Sequence, residues 1–144
     1  MEISLSKKQY KSLIKLVYLG EWFVNSYRVE HNMDKEMDDI AHHIYSYAKD
    51  FETENLLQKD INKIYPTGKL EEMLEHYIEE YNDDNFWDAL IERLAGRDFV
   101  DKYDEKEILK MDPFERMSKI EEIEEKYEDE FVENGLKNII VKVD

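Results

Sequence analysis

Apolar residues recur at intervals of three and four along most of this chain, the spacing of one face of an α-helix. The first run starts at Tyr10 and passes through Leu13, Ile14, Val17 and Tyr18 toward Tyr27, and Ser6 with Gln9 three residues on forms a capping-box start for it. Between Leu13 and Val24 nine of twelve residues are apolar. A helix that is hydrophobic all round is normally buried, so the pattern predicts a central first helix on which the others pack. Gly20 within it costs about 1 kcal/mol relative to alanine, which points to a close approach by another helix or to a bend.

A second helix is expected from Asp34, with Met37, Ile40, Ala41, Ile44, Ala48 and Phe51 on one face. The segment from Glu52 to Gly68 is less regular and ends in the turn Pro66-Thr67-Gly68. Leu70, Met73, Leu74, Tyr77, Ile78 and Tyr81 then form one stripe, and Phe86, Trp87, Leu90, Ile91 and Leu94 another. The polar run Asn82-Asp83-Asp84-Asn85 reads as a short loop that makes these two helices an antiparallel pair. After Gly96 a short helical piece spans Asp104 to Lys110. Asp112-Pro113-Phe114-Glu115 supplies an N-cap, a proline at the first helical position and an acid at the third. This last helix should run to about Glu133 and stop at Asn134-Gly135.

Beyond it Ile139, Val141 and Val143 alternate with Ile140 and Lys142, and Ile3 and Leu5 echo the pattern at the other end. The termini are thus expected to pair as a small ribbon lying against the helices. The expected fold is all-α: a single domain over residues 1–144, a bundle of five or six helices round the first, with that minor two-stranded ribbon. LEEMLEHYIEEY (Leu70 to Tyr81) and IEEIEEKYEDEF (Ile120 to Phe131) look alike, but two acidic amphipathic helices of the same period suffice to explain it.

Length and composition agree with one folded core: 144 residues with 42% hydrophobic and 12% aromatic content offset chain entropy despite 39% charged residues. The net charge of −16 is uneven, with +2 over residues 1–30, −8 over 31–80 and −10 over 81–144. Such a field repels nucleic acid and anionic membranes and attracts cationic partners. Absence of cysteine removes disulfides, thiolate nucleophiles and Cys-ligated metals, and agrees with a cytoplasmic protein. Lys15 and Glu21 break the apolar run well short of the roughly 20 residues a membrane span needs. Met1-Glu2 opens with an acid and no small-residue cleavage site follows Val24, so no secretory leader is expected.

Chemistry-bearing residues are sparse. His42 and His43 are expected on the solvent side of the second helix, each one turn after Asp38 or Asp39. His76 lies between Glu72 and Glu80. Each constellation offers fewer ligands than a metal site needs, and no Glu-x-x-His spacing of the di-iron type occurs. A metal-dependent enzyme built on these residues is one alternative reading. Thr67-Gly68-Lys69-Leu70 fails the phosphate-loop pattern, because Lys63 replaces the first glycine and Leu70 the Ser or Thr. No nucleophile elbow and no His-Glu-x-x-His is present. No cofactor is implied.

Carboxylates dominate instead. On the last helix Glu121, Glu122, Glu124, Glu125, Glu128, Asp129, Glu130 and Glu133 surround an apolar stripe of Phe114, Met117, Ile120, Ile123, Tyr127 and Phe131. Lys7, Lys8, Lys11 and Lys15 crowd the start of the first helix, against its dipole, at about 0.3–1 kcal/mol per nearby charge. Trp22 and Trp87 sit in apolar stripes and are expected in the core. These features predict a non-enzymatic protein whose eight acids meet a basic protein partner. The alternatives are a mimic of nucleic acid that inhibits a DNA- or RNA-binding protein, the metal enzyme above, and a homo-oligomer joined through the apolar first helix. Direct binding to nucleic acid or membrane is not expected.

Overall fold

The computed structural model describes residues 2–61 and 63–140 of the chain. The fold is mostly helical with one small antiparallel ribbon. In chain order its elements are α1 (Lys7–Asn25), α2 (Lys35–Tyr45), β1 (Leu57–Asp60), β2 (Lys63–Pro66), α3 (Gly68–Glu72), α4 (Glu75–Lys102), α5 (Glu105–Lys110) and α6 (Pro113–Asn134). The chain divides into two compact units, Met1–Glu79 and Glu80–Asp144, each with its own apolar cluster.

In the first unit, Ser6 caps α1 through the capping box with Gln9. Tyr10 and Ile14 are buried, but Leu16 is 67% and Phe23 56% exposed, so α1 is covered on one side only. A Cβ at Gly20 would meet no atom within 4 Å, so no close approach explains that glycine. Asp34 caps α2 by accepting from the Met37 amide, as its position before the apolar stripe predicts. The helix ends at Tyr45, earlier than the stripe suggests; Ala48 and Phe51 follow in turns yet still pack, Phe51 stacking on Tyr10 at 4.2 Å. Tyr10 donates to the Ile44 carbonyl at 2.6 Å, and burial pushes its hydroxyl pKa up to about 12.

Buried Asn25 adds a polar link between the two helices. Its Oδ1 accepts from the Asp34 amide at 2.8 Å and its Nδ2 donates to the Asp34 carbonyl at 3.2 Å. The clamp thus holds both backbone groups of the residue that caps α2.

The ribbon lies within the segment that reads as irregular. Leu57 pairs with Pro66 and Asp60 with Lys63 in an antiparallel register. Leu57 and Ile64 face the cluster of Tyr10, Ile14, Leu56, Leu70 and Leu74, while Gln58, Lys59 and Asp60 are exposed. Proline at a strand end needs no ladder donor there. Four-residue strands carry too little alternation to stand out from a loop. Ile61 enters the turn with φ +42° and is 86% exposed. Of the residues expected to form a terminal ribbon, Ile3 and Leu5 belong to no strand, and Val141 and Val143 lie outside the described residues.

The second unit corrects the expected loop. α4 continues unbroken through Asn82-Asp83-Asp84-Asn85. Each of these is a poor helix former by about half a kcal/mol, but none is Gly or Pro, so no backbone bond is lost and the flanking turns carry the helix through. Trp87–Phe131, Asp98–Tyr127 and Tyr103–Lys119 contacts run in opposite senses, so α6 lies antiparallel to the C-terminal part of α4. Ala95, Phe99 and Ile123 are buried between them, with Ile108 and Met111 packed alongside. Asp112 caps α6 by accepting from the Glu115 amide at 2.9 Å, and Gly135 ends it at φ +57°, a left-handed conformation that glycine adopts freely.

Candidate functional site

Because α6 buries Ile123 and Phe131 against α4, its opposite side faces outward. At 100° per residue, Glu121, Glu122, Glu125, Glu128 and Asp129 fall within roughly 120° of arc on that side, and all five are exposed. None takes part in an ion pair among the described residues; the acids that do are Asp38, Glu52, Asp98 and Glu115. The same arc carries Phe114 and Val132, 74% and 89% exposed. The outward face is therefore a row of uncompensated carboxylates with a bare apolar side chain toward each end.

The other three predicted acids are placed differently. Glu133 is exposed beside the arc, and Glu124 is half-buried. Half-buried Glu130 turns toward the inner side of α6, where it accepts from Asn138 Nδ2 at 2.6 Å. There it lines a cleft of about 370 Å³ formed with Leu90, Leu94, Tyr127, Phe131 and Ile139. Sequence reasoning does not find this cleft, because its walls come from three separated stretches.

Arg97 lies at the same cleft and belongs to a compact polar cluster. Tyr127 donates to Asp98 Oδ2 at 2.5 Å; Arg97 donates through Nε to Asp98 Oδ1 at 2.8 Å and through an Nη to the Tyr127 hydroxyl at 3.1 Å. The Tyr127 hydrogen bond, then Arg97, holds the Asp98 carboxyl below its ordinary pKa. Burial and the bond to Asp98 raise that of Tyr127. Reading Tyr127 as one more member of the apolar stripe hides this role.

Of the histidines, His43 and His76 are exposed as expected. His42 is not: its side chain is only 20% exposed, because Tyr65 of β2 meets it edge-on at 5.6 Å. Both ring nitrogens are shielded and without a hydrogen-bond partner. Asp38 stands 3.6 Å from Nε2 and accepts from Lys63 at 2.8 Å. Among the described residues no three of His, Asp or Glu gather so as to hold a metal ion.

The basic row is divided as well: Lys7 pairs with Glu52, while Lys8 and Lys11 are exposed and Lys15 is half-buried. The pairing lowers the pKa of Glu52. Trp22 and Trp87 are both half-buried rather than central. A second cleft, on the first unit, is acidic, with Glu71, Glu72 and Glu75 beside Tyr18 and Ile78. No described helix is long and apolar enough to cross a membrane. No family model, curated protein or solved structure matches the chain.

Proposed function

We propose that the chain is a non-enzymatic binding module that engages a basic protein partner through the outward face of α6. One observation carries this reading: Glu121, Glu122, Glu125, Glu128 and Asp129 share one exposed face and no cation of the described residues pairs with any of them. Like charges one turn apart cost a helix a few tenths of a kcal/mol per pair, a cost that a cationic partner would reverse. Phe114 and Val132 add the apolar contact that charge alone lacks, since exposed ion pairs contribute 0–1 kcal/mol each.

The test is capture at moderate and high salt, with the native chain beside a Glu121→Lys, Glu125→Lys, Glu128→Lys variant. A stoichiometric partner held at moderate salt, released at high salt and lost to the variant supports the reading. Undiminished capture by the variant removes it. Circular dichroism checks that the variant keeps its helices.

A further inference from the structure

The cleft on the inner side of α6 gives the partner's chemistry a second requirement. Half of the residues that line it are aliphatic or phenyl: Leu90 and Leu94 from α4, Phe131 from α6, and Ile139 and Ile140 after the helix. At about 370 Å³ it is within the range of sites that hold one compact group. The polar groups that share the lining are not suited to an anion. Arg97 is already engaged by Asp98 and Tyr127, and Glu130 presents a carboxylate whose one described partner is the neutral amide of Asn138. One turn on from Glu130, exposed Glu133 continues the negative charge toward the outward face.

We infer that the cleft seats a single bulky apolar side chain of the partner, leucine-sized or larger, flanked by lysine or arginine residues that meet Glu130, Glu133 and the acids beyond them. This inference rests on the acidic-face reading and adds an anchor to it. The apolar side chain supplies the burial, and the flanking cations match the rim. A buried anchor ringed by polar contacts is how a small interface obtains most of its affinity.

The probes are two fluorescein-labelled seven-residue peptides, each with six basic residues, one with a central leucine and one with a central alanine. Fluorescence anisotropy with the native chain should give a dissociation constant about tenfold lower for the leucine peptide, with both constants rising with salt. Ile139→Gln combined with Ile140→Gln strips two cleft walls outside any helix and outside the buried cluster. It should cut the leucine preference below about twofold. Glu130→Gln, which keeps an acceptor for Asn138, should weaken both peptides equally.

Equal binding of the two peptides by the native chain overturns the cleft inference and leaves the acidic-face reading standing. A leucine preference that survives Ile139→Gln, Ile140→Gln also overturns it, by locating the anchor elsewhere. Failure of the native chain to bind either peptide removes both readings.

Discussion

Replacing Ile61 should stabilise the first unit, although Ile61 is a large apolar residue. Its φ of +42° lies in the left-handed region, where a β-branched side chain crowds its own backbone. That conformation costs an L-residue about 1–2 kcal/mol. The side chain recovers little of this, since it is 86% exposed. Asparagine tolerates the region and has no β-branch, so Ile61→Asn should gain about 1 kcal/mol, roughly a fivefold shift in the unfolding equilibrium. Ile61→Gly should gain less, about 0.5 kcal/mol, because glycine removes the strain but adds entropy to the unfolded chain. Urea unfolding in a Trp87→Phe background leaves Trp22, which lies in the unit that holds the ribbon, as the only tryptophan. The midpoint should rise with the slope unchanged. Loss of stability in both variants would show that Ile61 is not strained, and would refute the reasoning.

Three further outcomes follow from the helices. Gly20→Ala should stabilise by about 1 kcal/mol, because the added Cβ enters open space and alanine is the better helix former; calorimetry showing a lower melting temperature would contradict it. Asp84→Pro should destabilise by about 3 kcal/mol in urea unfolding, since position 84 lies inside α4, whereas a loop there would tolerate proline. Tyr127→Phe should cost about 1 kcal/mol near neutral pH, and the deficit should shrink in acid. The sign follows from Asp98: a carboxyl held below its ordinary pKa contributes stability above its unfolded value of 3.8, lost as pH falls through the lower folded value. Equal deficits in urea unfolding at neutral pH and below pH 3.8 would contradict this.

Helix starts are legible because the signal is local. Ser6, Asp34 and Asp112 each bond a backbone amide three residues ahead, so residue type and spacing suffice. The acidic face is legible for a similar reason, since five of its carboxylates follow from helical period alone. What the sequence hides depends on partners far along the chain. His42 appears solvent-facing on α2 until Tyr65, 23 residues later, covers it. Tyr127 appears purely apolar until Asp98 and Arg97 meet its hydroxyl. At residues 82–85, propensity argues for a loop but is worth too little per residue to outweigh an intact run of backbone hydrogen bonds.

The Asn25 clamp also determines what the first unit can absorb. Because one amide side chain holds both backbone groups of Asp34, the ends of the intervening segment are fixed by two hydrogen bonds rather than by the segment itself. Residues 26–32 are exposed throughout. Doubling the length of such a closed segment costs only about 0.6 kcal/mol in chain entropy. Residues could thus be inserted between Arg28 and Asn32 without moving either helix, which makes this the natural place for a fluorophore, an epitope or an inherited insertion, provided Asn25 and Asp34 are kept.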